Sequence, residues 1–148
     1  MIRAAHLAAL WAFAFAAVSL YWVLGGEAGA DTLSRGLEKK IRMGEDTLVY
    51  GVVPGIGKLG LGVLALLLAR AEPRRIEIVA GWGAGALLAL YGAASTAEKA
   101  LMKAGAINTP DSLAGDRVGW YLFFWDPLWL LGGVLFLLAA RAASPQSA

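Results

Sequence analysis

The sequence predicts an all-α integral membrane four-helix bundle, with a short amphipathic helix in the first outer loop. Of its 148 residues, 59% are apolar and 16% are charged, whereas soluble domains average about 45–50% and about 25%. Four apolar stretches are each about 20 residues long, enough for a helix to cross the roughly 30 Å of bilayer hydrocarbon. Their apolar residues are continuous and do not alternate, which favours helices over barrel strands. A chain of this length predicts one transmembrane domain over residues 1–148.

The four helices are predicted at about residues 4–24, 48–69, 76–104 and 117–141. The first stretch has a basic start at Arg3, and residues 28–30 (Ala-Gly-Ala) resemble a signal-peptide cleavage site. Its apolar run is longer than the about 7–15 residues of a signal core, so we interpret it as a retained helix. The third helix is expected to continue past its apolar part to Ala104, with Gly105 as its stop.

The first long connection contains the short helix. Leu33, Leu37 and Ile41 recur at the spacing of one helical face, and charged residues occupy the other. Such a helix is expected to lie on the membrane surface or on the rim of the bundle.

Basic and aromatic residues predict the orientation of the chain. The connection 70–75 contains three arginines, and Arg3 and Arg141 fall at the same end of the predicted bundle. Tyrosines fall at the opposite end, where their rings suit the headgroup level. Since basic loops favour the cytoplasmic side, both termini are predicted to be cytoplasmic.

Two charged residues lie well inside predicted membrane helices, Lys58 in the second and Asp126 in the fourth. A charge at the bilayer centre costs at least about 2.5–3.5 kcal/mol, so we expect the two to form an ion pair. In a structural interpretation the pair fixes which helix faces meet, and Asp126 also caps the helix after Pro127 by accepting from the Trp129 amide. In a functional interpretation the pair is a proton or ion relay, or the polar anchor of a cavity.

The chain has six tryptophans, of which several lie deep in the predicted helices. Deep aromatic rings commonly fill the gaps that neighbouring glycines leave. Alternatively, Trp125, Trp129 and Trp82 could form, with Lys58, the wall of a pocket for a lipophilic ligand.

Glycines spaced four apart predict close helix packing. Gly51 and Gly55, like Gly81 and Gly85, place two missing side chains on one helix face. Packing inside the bundle is the simpler interpretation, and a homodimer seam is the alternative.

No motif indicates a cofactor, metal or catalytic site. The pattern Gly55-x-Gly57-x-x-Gly60 matches a dinucleotide fingerprint, but it follows Pro54 and lies between membrane segments in a chain too short for a dinucleotide fold. One histidine and no cysteine give no metal-ligand set. We find no nucleophile or acid–base dyad, and a net charge of +2 does not predict a nucleic-acid partner.

Two motifs carry a family resemblance. Residues 19–26 read Ser-Leu-Tyr-Trp-Val-Leu-Gly-Gly, and residues 124–133 read Phe-Trp-Asp-Pro-Leu-Trp-Leu-Leu-Gly-Gly. Together they resemble a family of small four-helix bacterial membrane proteins, domain-of-unknown-function family 3995. The resemblance implies a fold and a membrane location, with no catalytic residues to transfer. We expect that membrane to be the bacterial cytoplasmic membrane.

These observations predict a small non-enzymatic membrane protein that binds a lipophilic ligand or a membrane partner. Its partners would be the lipid bilayer, a lipophilic small molecule, another membrane protein or a second copy of itself. The alternative is a small proton- or ion-coupled transporter or exporter that uses Lys58 and Asp126.

Overall fold

The computed structural model describes residues 3–145, and their secondary structure is entirely helical. Helix α1 spans Ala4–Val23, α2 Arg35–Met43, α3 Leu48–Leu68, α4 Arg75–Lys103 and α5 Arg117–Ala143. Single 3₁₀ turns at Ala30–Thr32 and Asp111–Leu113 lie in the two long connections. Four helices, α1, α3, α4 and α5, are long and apolar enough to cross a membrane. The predicted all-α membrane fold is therefore confirmed.

The four long helices form a ring of antiparallel neighbours. The most extensive contacts join α4 to α5 and α1 to α3, and α1 also packs on α5. Contact between α3 and α4 is more limited, and α3 and α5 lie diagonally across the bundle. We call the end that carries connections 24–47 and 104–116 the loop end. The terminal end is the one where α1 begins, α5 ends and the 69–74 turn lies.

Glycine lets the paired helices approach until their backbones touch. A Cβ on Gly92 would lie 2.3 Å from the backbone nitrogen of Leu130, and one on Gly133 would lie 2.3 Å from that of Ala89. In the other pair, Gly51 meets Val23. The four glycines of the prediction are all buried, and a Cβ on each would meet a side chain of a neighbouring helix, so their packing inside the bundle is confirmed; they are Gly51, Gly55, Gly81 and Gly85.

Two wide turns interrupt the α-helical hydrogen bonding at matching positions of α3 and α5. Residues Leu48–Val52 and Tyr121–Trp125 are π-helical, and each segment ends two residues before a proline, Pro54 or Pro127. Proline has no N–H to donate, and the helix accommodates it by widening one turn instead of breaking. The prediction that Asp126 caps a new helix start is wrong, because α5 is helical on both sides of Pro127 and no side-chain cap forms there.

The first connection closes the loop end. Arg117 at the start of α5 donates to Glu38 of α2 over 2.6 Å and also to the carbonyl of Leu33. Arg42 donates to the other carboxylate oxygen of Glu38 over 3.1 Å. Hydrogen bonds from Arg117, and then from Arg42, hold the pKa of Glu38 below its ordinary value. We call residues 25–47 the lid, since these bonds fix them across the bundle.

Candidate functional site

A cavity of about 620 Å³ lies beneath the lid, in the half of the bundle nearest the loop end. This volume falls in the range of small-molecule sites. Every membrane-spanning helix and the lid contribute to its wall. The lining residues are Phe15, Ser19, Trp22, Leu33, Leu37, Tyr50, Pro54, Lys58, Leu87, Leu88, Tyr91, Tyr121, Trp125 and Trp129.

Lys58 is the charged group of this wall. Its side chain lies almost wholly inside the bundle, with 7% of the residue exposed. The ammonium donates a hydrogen bond of 2.7 Å to Ser19 Oγ and lies 3.8 Å from the centre of the Phe15 ring. Ser19 is four residues before the end of α1, or about 6 Å below it at 1.5 Å per residue. The long stem of Lys58 therefore carries its charge from the middle of α3 toward the loop end.

A second polar group shares the face of α3 that lines the cavity. Tyr50, Pro54 and Lys58 recur every four residues, and all three contribute to the wall. The hydroxyl of Tyr50 is buried and has no hydrogen-bond partner in the described part of the chain. A phenol in such a position is a donor and acceptor available to a bound molecule.

Aromatic rings of α1 and α5 build another side of the cavity. Phe15 and Trp129 have ring centres 4.7 Å apart, and Trp125 stacks on Phe15 with ring centres 6.1 Å apart. The indole N–H of Trp125 donates to Thr32 in the lid over 3.0 Å. These contacts couple the wall to the lid and fix the orientation of its rings.

The predicted ion pair between Lys58 and Asp126 does not form. Among residues 3–145, Lys58 makes no salt bridge with any carboxylate. The two residues lie on helices that are diagonal in the ring, and Asp126 faces α4 instead. The sequence indicated their depths, but it did not show toward which neighbour each side chain turns.

Asp126 instead faces a second buried lysine, Lys99. Their charged atoms are 4.0 Å apart, and Lys99 also pairs with Glu98 over 2.6 Å and donates to Ser95 over 3.3 Å. Only 1% of Asp126 is exposed, and its Oδ2 atom has no hydrogen-bond partner among the described residues. This cluster joins α4 to α5 and does not line the cavity.

The other predicted site residues divide between the cavity and the surface. Trp125 and Trp129 line the cavity with Lys58. Trp82 lies elsewhere: it is 42% exposed and donates to Ser144 near the terminal end over 3.3 Å. Its position seven residues into α4 places it about 10 Å from that end, far from the lid.

The cavity reaches the surface between α3 and α4. Leu87 and Tyr91 belong to its lining, yet 72% and 56% of their surfaces are exposed. Both residues are on α4, beyond the part that packs on α3 through Gly81 and Leu68. In a membrane this gap would face lipid.

Sequence reasoning missed several residues of the wall. Ser19 could have been noticed as an isolated hydroxyl in an apolar helix, and Tyr50 by its spacing of eight residues from Lys58. Outside the cavity, the pairing of Lys99 with Asp126 was also missed, because Lys99 lies beyond the apolar part of the third predicted helix, where a charge draws no attention. For Phe15 the sequence gives no signal, since one aromatic ring in an apolar helix is uninformative.

A separate groove of about 450 Å³ lies between α1 and α5. Its lining, which includes Leu7, Leu10 and Leu131, contains no charged side chain. It offers contacts only to hydrocarbon, whereas the cavity beneath the lid also offers a cation and hydroxyl groups. No three His, Asp or Glu side chains come together in residues 3–145 to hold a metal ion.

Comparison with known proteins identifies a family. The family model described as protein of unknown function (DUF3995) matches residues 12–136, which is more than half of the chain. No curated protein and no solved structure matches it.

Proposed function

This chain belongs to the DUF3995 family, whose description names no function, and from its geometry we propose that it is a non-enzymatic membrane protein that binds a lipophilic ligand. The observation that supports this proposal is the cavity beneath the lid. It is large enough for a small molecule, mostly apolar, and open toward the expected position of lipid between α3 and α4.

The wall of the cavity suits a ligand that is apolar over most of its length. Leucines, Pro54 and aromatic rings form most of the lining, and the polar atoms are few and close to the loop end. Binding sites of this kind gain affinity from apolar burial, and their polar groups fix the orientation of the ligand.

Saturable binding of an uncharged lipophile tests this proposal. The full chain in lipid nanodiscs would be titrated with tritiated hexadecanol, and binding measured by scintillation proximity. We expect a saturable component above the linear partitioning into empty nanodiscs. Leu87→Trp should remove it, because the larger ring would obstruct the gap between α3 and α4.

The matched control is Leu10→Trp. Leu10 is a similarly exposed leucine, at 67% against 72% for Leu87, and it lines the groove between α1 and α5. Saturable binding should survive in this variant. Purely linear uptake by the wild-type protein, or saturable uptake that survives Leu87→Trp and fails in Leu10→Trp, would refute the cavity as the site.

We further propose that the protein lies in the bacterial cytoplasmic membrane with both termini in the cytoplasm. Arginines at the terminal end, such as Arg3, Arg74 and Arg141, support this orientation. A fluorescent protein fused after residue 148 should fold and fluoresce in cells. A periplasmic phosphatase fused there should be inactive, and the reverse pattern would contradict the orientation.

A further inference from the structure

The polar groups of the cavity are matched to one kind of head group. Lys58 carries a positive charge that no carboxylate of residues 3–145 pairs with. An ammonium has three N–H donors, and Ser19 occupies one of them. The ring of Phe15 covers another side of the ammonium, which leaves its remaining donor capacity to the cavity.

Tyr50 adds an unused hydroxyl to the same cavity. A cation held in apolar surroundings without a counter-charge is costly, and so is a buried hydroxyl without a hydrogen bond. An anion bound in the cavity would remove the first cost by accepting from Lys58, and a hydrogen bond from Tyr50 to the same ligand would remove the second. The apolar residues of the lining would contact the hydrocarbon tail of that anion.

We propose that the ligand is a long-chain carboxylate, bound with its head group at Lys58 and Tyr50 and its tail directed toward the gap between α3 and α4. This inference rests on the proposed function and specifies the chemistry of its ligand. The tail direction follows from Leu87, which lines the cavity and is largely exposed at the gap.

A carboxylate fits these donors better than a phosphate does. Its one negative charge equals that of the single cation, and its two oxygens can accept from the ammonium and the phenol. A phosphate monoester carries about −1.5 to −2 charges and three strong acceptor oxygens. Lys58 alone would leave part of that charge unpaired in an apolar site.

The test compares three ligands of equal chain length on the full chain in nanodiscs: palmitate, hexadecanol and hexadecyl phosphate. We expect palmitate to bind about 10- to 100-fold more tightly than hexadecanol, the gain typical of hydrogen bonds to charged groups. Palmitate should also bind more tightly than hexadecyl phosphate. Lys58→Met should abolish the preference for palmitate over the alcohol, and Lys58→Arg should keep most of it.

Tyr50→Phe provides a milder second variant, for which we expect a loss of several-fold in palmitate affinity and a smaller loss in hexadecanol affinity, because the hydrogen bond to a charged head group is the stronger one. Retained hexadecanol binding also shows that each variant is folded. Equal affinity for palmitate and hexadecanol in the wild type, or a preference that survives Lys58→Met, would overturn the inference while leaving the lipophilic site intact. If hexadecyl phosphate binds more tightly than palmitate, the assignment of a carboxylate head group is overturned. Absence of saturable binding for all three ligands would refute the proposed function itself.

Discussion

The two buried lysines of this protein have the same exposure and opposite surroundings. Lys58 and Lys99 are each 7% exposed. Lys99 lies 2.6 Å from Glu98 and 4.0 Å from Asp126, whereas Lys58 contacts a serine hydroxyl and aromatic rings. The chain itself balances the charge on the α4–α5 side of the bundle. On the α1–α3 side no carboxylate of residues 3–145 pairs with Lys58, and this difference is the reason we propose Lys58, and not Lys99, as a binding group.

The largest decrease in stability is expected from removing Lys99, the buried lysine that has carboxylate partners. Lys99→Met leaves Asp126 buried without its cation, and breaking a buried pair in this way costs about 3–5 kcal/mol. We expect a clear loss of the free energy of unfolding, measured by titration with sodium dodecyl sulfate in mixed micelles.

The double variant Lys99→Met with Asp126→Asn is the control, because it removes both charges of the contact. It should recover a large part of the lost stability. If Lys99→Met is as stable as the wild type, the assignment of Asp126 and Lys99 to a structural pair is contradicted.

The next test compares a glycine of the α4–α5 pair with a glycine of the α1–α3 pair. Gly92→Ala would force Cβ against the backbone nitrogen of Leu130, in the same α4–α5 pair that contains the Asp126–Lys99 contact. Overpacking of this kind costs about 1–3 kcal/mol. For Gly55→Ala, on the Lys58 side, the three nearest atoms all belong to side chains: Cδ2 and Cγ of Leu20 at 3.0 and 3.3 Å, and Cβ of Ser19 at 3.7 Å. A leucine side chain can shift, whereas a backbone nitrogen cannot.

Thermal unfolding followed by circular dichroism would compare these two variants. We expect Gly92→Ala to unfold at a lower temperature and Gly55→Ala to stay close to the wild type, helped by the better helix propensity of alanine. Equal destabilisation of both would mean that the two helix pairs do not differ in how closely their backbones approach.

Lys58→Met should change stability much less than Lys99→Met. No carboxylate among residues 3–145 would be left unpaired, and the only hydrogen bond lost is the one to Ser19. We expect a change in the free energy of unfolding below about 1 kcal/mol, of either sign. A loss as large as that of Lys99→Met, measured in the same micelle titration, would show that Lys58 is structural.

The smallest change in stability is expected in the lid when the pH is lowered. The pKa of Glu38 is lowered from its ordinary value of 4.5 in the folded protein, because the ionised carboxylate accepts from Arg117 and Arg42. These bonds therefore stabilise the lid fully above pH 4.5, and their contribution is lost as the pH falls through the lowered pKa. Hydrogen exchange of residues 25–47, corrected for intrinsic rates, should therefore increase selectively below that pH.

Glu38→Gln is the matched variant for this experiment. In this variant the amide hydrogens of the lid should exchange faster than in the wild type at neutral pH. Acidification should then change their exchange rates little further. Protection of the lid that is independent of pH in the wild type would argue that apolar contacts, such as those of Leu33 and Ile41, hold it in place without the ion pairs.

The sequence was sufficient for the fold because lipid imposes a simple rule on length and hydropathy. Continuous apolar stretches of bilayer length must be helical, and the four observed helices follow them. Gly105, with a φ of +77°, also lies just beyond α4 at the expected stop.

The candidate site was harder to predict, because it depends on the rotation of each helix about its axis. Hydropathy gives the depth of Lys58 and Asp126 but not the neighbour each one faces. The two π-helical turns before Pro54 and Pro127 change that rotation further. The lysine that does face Asp126, Lys99, lies beyond the apolar part of α4, so a search confined to apolar stretches could not find it.

A density map of the full chain in lipid nanodiscs, obtained after incubation with palmitate, tests the central claim most directly. We expect elongated non-protein density beneath the lid, with one end within hydrogen-bond distance of the Lys58 ammonium and the other at Leu87. A cavity that contains only water, or a Lys58 side chain turned across the bundle to Asp126, would contradict the account.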